Sequence, residues 1–212
     1  MILTNLNLQI FRVDAPIHVL GPYRRAVIWV QGCTFACKGC IVPESWDTMG
    51  GETRTLDELT AWVLEQPNIE GITLSGGEPM LQASVLGTLI DRLREQRDIG
   101  VVCYTGDRIE RLQAHGTIAQ RELLQRLDLI IDGIYVEAQH ADLLWRGSTN
   151  QRLLPLSDRY RELLATLPDR SAGMEFNLDP EGAIALTGVP SSPRFREAFE
   201  TRMANQGVIL SR

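Results

Sequence analysis

A short apolar run that ends in glycine and gives way to a helical pattern recurs along this chain, and that rhythm narrows the fold more than any other feature. Arg25 to Gly32 (RAVIWVQG) is β-branched and aromatic and reads as a buried strand leading into a loop. Thr55-Leu-Asp-Glu58 is a capping box: Thr55 and Glu58 satisfy the first free N–H groups of a helix over about 56–66, whose apolar face is Leu56, Leu59, Trp62 and Val63. Gly71 to Pro79 (GITLSGGEP) repeats the strand and the glycine loop, and apolar residues at helical spacing follow over 81–96. A third strand is expected over 99–107, one or two helices around Gly116 over 108–127, and a fourth strand over 128–136.

Strands that alternate with helices pair in parallel through right-handed crossovers, so their C-terminal ends share one side of the sheet. Every glycine loop named above lies on that side, where parallel α/β sheets bind ligands. After residue 150 the rhythm changes. A helix is expected over 158–167, a hairpin from AGMEFNLD and GAIALTG turning at Asp179-Pro180-Glu181-Gly182, and a last helix over 195–205. The chain is thus divided into a core of residues 1–151 and a small α+β C-terminal extension of residues 152–212.

Cys33-Thr-Phe-Ala-Cys37-Lys-Gly-Cys40 places three of the four cysteines within eight residues. That spacing is a cofactor loop in a reducing compartment, not the dispersed even set of a disulfide framework. A closed zinc site is the competing reading, but it calls for four ligands, and none of His18, His115 and His140 lies beside the loop. Three thiolates match three irons of a 4Fe-4S cluster and leave the fourth iron open to a ligand. The remaining cysteine, Cys103, sits inside the third strand and is expected to be a small buried side chain. Trp29 and Trp62 are expected in the core.

The spacing resembles that of the radical S-adenosylmethionine (SAM) superfamily, and Ser75-Gly76-Gly77-Glu78-Pro79 resembles the family's GGEP motif one βα unit later. Within the superfamily the chain most resembles the activating enzymes of glycyl radical enzymes, in particular the anaerobic ribonucleotide reductase branch. The pieces that carry this are Gly21-Pro22, Arg24-Arg25, VQGCTFACKGC, Trp46, SGGEPM, Tyr104-Thr105-Gly106, Asp132-Gly133 and LWRGSTNQ ending at Gln151, together spanning about residues 15–151.

The resemblance implies a partial (β/α) barrel of the radical SAM type with about four to six strands. It implies that Cys33, Cys37 and Cys40 hold a 4Fe-4S cluster whose open iron takes the methionine end of SAM, with Ser75, Gly76, Gly77 and Glu78 holding its ammonium. Many radical SAM proteins carry an aromatic residue before the last cysteine to pack on adenine; Gly39 is small there, as the corresponding residue tends to be in the ribonucleotide reductase branch. Thr105 and Asp132 are implied near the ribose or methionine part, and Arg146 near the SAM carboxylate or the partner. Related activases often carry a lysine two residues after the strand-end aspartate, where this chain has Ile134. The implied activity is reductive cleavage of SAM to a 5'-deoxyadenosyl radical that takes hydrogen from a glycine of a partner glycyl radical enzyme. Flavodoxin or ferredoxin is the implied electron donor.

Two other functions stay open at this level: a radical SAM enzyme acting on a peptide or small molecule through the C-terminal extension, and a non-catalytic iron–sulfur or zinc scaffold. A net charge of -6 without a basic block gives no footprint for nucleic acid. No run has the length of a membrane span and the N-terminus lacks a basic segment followed by an apolar one, so the cytoplasm is the expected compartment.

Overall fold

The computed structural model describes residues 6–178 and 184–208. Its centre is a seven-stranded mixed sheet in the order β3-β1-β2-β4-β5-β6-β9. These strands are β1 (Asn7–Ile17), β2 (Arg25–Val30), β3 (Glu52–Thr55), β4 (Gly71–Gly76), β5 (Gly100–Thr105), β6 (Leu129–Asp132) and β9 (Arg152–Pro155). The four middle strands β2, β4, β5 and β6 run parallel, as the rhythm predicts. Antiparallel partners flank them: β1 against β2, β3 against β1, and β9 against β6.

The connections between the parallel strands are helical. They are α1 (Leu56–Glu65), α2 (Ala83–Arg94), and the pair α3 (Ile109–His115) and α4 (Ile118–Leu124), which divides at Gly116. The capping box at Thr55 and Glu58 is present, and a second, Thr117 with Gln120, starts α4. Between β6 and β9 lies a small hairpin of β7 (His140–Leu143) and β8 (Arg146–Ser148). The chain then forms α5 (Arg161–Thr166), the antiparallel pair β10 (Met174–Leu178) and β11 (Ile184–Gly188), and α6 (Phe195–Ala204). The turn expected at 179–182 lies outside the described residues.

The strands sort their side chains with the two-residue period of the pleat. Ala26, Ile28 and Val30 of β2, with Ile72, Leu74, Val101, Cys103 and Ile130, pack against α1 to α4 in one core. Val27 and Trp29 point to the other face, where they join Ile17, Val19 and Leu20, while Val102, Leu129 and Ile131 meet Trp145 and Tyr160. Both faces of the middle strands are therefore covered, which is why they read as unbroken apolar runs rather than alternating ones. Each fully buried leucine or isoleucine contributes roughly 1.5–3 kcal/mol.

The fourth strand is shorter than expected: β6 stops at Asp132, because Gly133 turns the chain at φ +101°. The extension also begins inside the main sheet, since β9 is its edge strand. The sheet is mixed and open among the described residues, β3 and β9 being its two unjoined edges.

At the N-terminal ends of the parallel strands Arg25 is completely buried. All of its donors are used: Nε donates to Thr73 Oγ1 at 2.7 Å, Nη1 to the Pro22 carbonyl, Glu70 Oε2 and Tyr160 Oη, and Nη2 to the Ile72 and Gly100 carbonyls. This one side chain joins β2, β4, β5 and the segment before α5. Removing its charge strands those acceptors, so Arg25→Met should cost about 3 kcal/mol or more in urea denaturation of the metal-free protein. A loss under about 1 kcal/mol would show that Arg25 is not such a tie.

Candidate functional site

The end of β2 leads directly into the cysteine loop. The Gly32 N–H donates to the Ser45 carbonyl at 2.8 Å and the Cys33 N–H to the Trp46 carbonyl at 3.0 Å, so the loop closes on its own base. Gln31 supports the same closure, its Nε2 donating to the carbonyls of Glu44 and Asp47. Inside the loop the Cys40 N–H donates to the Cys37 carbonyl at 3.0 Å, and Ala36 takes a positive φ of 45°.

Against this base lies the turn after β4. The Gly77 N–H donates to the Val30 carbonyl and the Glu78 N–H to the Gly32 carbonyl, both at 2.8 Å. A Cβ on Gly76, which sits at φ +93°, would fall 2.7 Å from the Val30 backbone, and one on Gly77 would fall 2.2 Å from the Gly32 carbonyl oxygen. The two glycines therefore serve the packing of one loop on the other.

Cys33, Cys37 and Cys40 are free and half-buried, and they line one cavity at the C-terminal ends of the parallel strands. Gly39, Ser75, Gly76, Gly77, Glu78 and Thr105 line it too. The cavity extends over the face of the sheet away from α1 to α4, where Trp29, Tyr104 and Ile131 meet it. Ile134, at the position where related activases often carry lysine, is an exposed part of the lining.

Glu78 is 3 % exposed and braces two strand ends. Its carboxylate accepts from Thr105 Oγ1 at 2.8 Å, the Gly106 N–H at 2.9 Å and the Met80 N–H at 2.9 Å. Burial pushes its pKa up to about 7, against the lowering effect of those three donors. Burial also pushes the Cys37 and Cys40 thiols up.

Asp132 and Arg146 are not brought to this cavity. Asp132 is fully buried and occupied: it accepts from the Ile109 N–H, which starts α3, and pairs with Arg108 and Arg152. Arg146 donates to the Leu144 and Gln151 carbonyls and pairs with Asp169. Their charge partners come from other segments of the chain and could not be identified from the motif alone.

Other lining residues escaped the sequence reading. Tyr104 and Trp29 were legible in principle, since a strand that turns Cys103 and Ile28 toward the helices turns their neighbours the other way. Trp145, at φ +53°, and the stretch 186–196 carried no comparable signal.

Three part-exposed thiols lining one cavity are the donor set that a cubane cluster takes at three of its irons. Among the described residues no three His, Cys, Asp or Glu side chains close on a single-ion site.

A family model described as a 4Fe-4S single cluster domain matches residues 19–154, which include the whole cysteine loop and the strand ends around it. Proteins named anaerobic ribonucleoside-triphosphate reductase-activating protein are also similar to the chain. That of Enterobacteria phage T4 is 34 % identical over 147 residues, covering 66 % of this chain and 89 % of the relative. Those of Haemophilus influenzae and Escherichia coli are 32 % and 31 % identical over 155 and 153 residues, each covering 68 % of this chain and 94 % of the relative. The chain belongs to the 4Fe-4S single cluster domain family and to the family of the anaerobic ribonucleoside-triphosphate reductase-activating proteins. An iron–sulfur cluster is thereby supported as its cofactor.

The raised pKa of Glu78 has a definite sign. Between about 4.5 and 7 the folded protein keeps a proton on Glu78 that the unfolded chain releases, so stability from this group is present below 4.5 and lost as pH rises to 7. In urea denaturation of the metal-free protein, the wild type should lose on the order of 3 kcal/mol relative to Glu78→Gln across that window. Parallel pH curves for the two proteins would contradict the assignment.

Proposed function

We propose that this chain is a radical SAM activase. It would hold a 4Fe-4S cluster through Cys33, Cys37 and Cys40 and use SAM to generate a radical on a partner enzyme. The observation that carries this reading is the joining of the three thiols and the Gly76-Gly77-Glu78 turn on one cavity by two backbone hydrogen bonds. The names of the relatives favour a partner of the anaerobic ribonucleotide reductase kind; flavodoxin or ferredoxin is proposed as electron donor from the family resemblance alone.

The layout is consistent with a partial (β/α) barrel: parallel strands carry α1 to α4 on one face and an apolar cavity on the other. In this reading residues 1–151 are the catalytic core and residues 152–212 the extension, although β9 lends that core an edge strand.

When bound, the cluster and SAM supply one-electron cleavage of a carbon–sulfur bond, giving methionine and a 5'-deoxyadenosyl radical that takes hydrogen from the partner's glycine. The chain's own residues provide the surroundings. Cys33, Cys37 and Cys40 bind as thiolates, so loading releases their protons. Ser75, Gly76 and Gly77 present backbone to the ligand's ammonium. Glu78 has three of its roughly four acceptor sites taken by Thr105, Gly106 and Met80, which leaves one for that ammonium. Arrival of a cation would favour the ionised carboxylate. Trp29, Tyr104 and Ile131 keep the far side of the cavity apolar, which excludes water from a radical. Hydrogen-atom transfer needs no acid and base pair.

A second reading, in which the hydrogen donor is a peptide or small molecule, is favoured by one observation: residues 186–196 wall the cavity.

After anaerobic loading with iron and sulfide and reduction, the protein should release 5'-deoxyadenosine from SAM, measured by chromatography. Replacing any of Cys33, Cys37 or Cys40 by alanine should lower that rate by at least about a hundredfold. Wild-type protein with a full cluster and no deoxyadenosine would overturn the proposal.

A further inference from the structure

Residues 186–196 lie beyond the matched 4Fe-4S domain, yet they return to the cysteine cavity. Thr187 and Val189, at and after the end of β11, and Phe195 and Arg196, at the start of α6, are part of its lining.

The extension packs on itself through aromatic rings, Phe176 on Phe199 at 5.2 Å and Phe195 on Phe199 at 5.8 Å. Beyond α5, the extension meets the rest of the protein through Val189, packed on the Ile17 and Trp29 cluster, and through polar links. Arg12 of β1, whose guanidinium lies 4.2 Å over the Trp29 ring, donates to Thr187 Oγ1 at 2.8 Å and to the Leu186 carbonyl. Arg196 makes the link nearest the cysteines. Its Nη1 donates at 2.7 Å to the carbonyl of Ile41, the residue after Cys40, and its two terminal nitrogens grip both Glu44 oxygens at 2.8 and 2.6 Å. This is the planar fork geometry that arginine supplies and lysine cannot. Val189 packs on the cluster of Ile17, Val19, Leu20, Val27 and Trp29, but no residue of α6 is buried, so the place of the α6 end of this stretch depends on such links.

We propose that residues 186–196 are a size-selecting wall of the cysteine cavity, and that Arg196 is the positioning residue that fixes this wall to the cysteine loop. The inference rests on the cavity being where the hydrogen donor arrives. A donor passing this wall must be narrow, such as a single extended chain rather than a folded hairpin.

The test does not require a working radical enzyme. Full-length protein, metal-free and anaerobic, is treated with iodoacetamide or with its bulky fluorescein conjugate, and labelling of each cysteine is followed by peptide mass spectrometry. Both reagents attack through the same thiolate, so the ratio of their rates at one cysteine cancels its ionisation and reports access. In the wild type the bulky reagent should be strongly disfavoured at Cys40. Arg196→Ala should raise the bulky-to-small ratio there about tenfold, with Arg196→Lys in between. The exchanged pair Arg196→Glu with Glu44→Arg should restore much of the selectivity. An unchanged ratio in Arg196→Ala overturns the proposal. So does labelling of buried Cys103 in that variant, because Arg196 would then support the whole fold rather than the wall. Loss of deoxyadenosine formation with the labelling pattern intact would instead count against the radical SAM reading alone.

Discussion

Two backbone hydrogen bonds, from the Gly77 and Glu78 N–H groups to the Val30 and Gly32 carbonyls, hold the cysteine loop against the turn after β4. They are possible because neither Gly76 nor Gly77 has a Cβ: any side chain there would strike the backbone at the end of β2. The parallel pairing of β2 with β4, in register from Arg25 opposite Gly71 to Val30 opposite Gly76, delivers the two loops to the same height. Thiols and strand-end backbone thus come together without any side chain having to reach across.

Electrostatics at this seam are set by burial. A carboxylate under a sheet's ligand-binding edge normally ionises readily when it accepts three N–H or O–H donors, yet Glu78 is buried enough that the desolvation cost outweighs them. The group is poised: it ties the end of β4 to the end of β5 in the metal-free protein, and a cation brought to it would draw it into the charged form. At the other end of the same strands the buried Arg25 is satisfied entirely by protein acceptors, so one end of the sheet is locked and the other is left open for ligands.

Much of this was legible in the chain. The βα rhythm named the four parallel strands, their helices and the Gly116 break, because buried strands and capped amphipathic helices leave local patterns. The cysteine loop and the GGEP turn were legible as one site for the same reason: both follow a strand that a helix returns to the sheet. Antiparallel β1, β3 and β9 were not, since short flanking strands owe their pairing to a distant neighbour rather than to their own composition. Asp132 and Arg146 were placed near the ligand by motif, but Arg108, Arg152 and Asp169 hold them elsewhere, and ion pairs between distant segments leave no sequence period. The hairpin strands β10 and β11 and the helix α6 were visible individually. Their return to the cavity is made by Val189 packing on the Trp29 cluster and by Arg12, Glu44 and Arg196, three charges that read as ordinary surface until the chain is folded.

The central claim is that three cysteines hold a cluster with one iron left for SAM. The most direct measurement is the electron paramagnetic resonance spectrum of the reduced, iron- and sulfide-loaded protein, recorded with and without SAM. The account predicts the signal of a reduced 4Fe-4S cluster whose g-values shift when SAM is added. A spectrum indifferent to SAM, or protein that takes up one zinc tightly in place of the cluster, would contradict it.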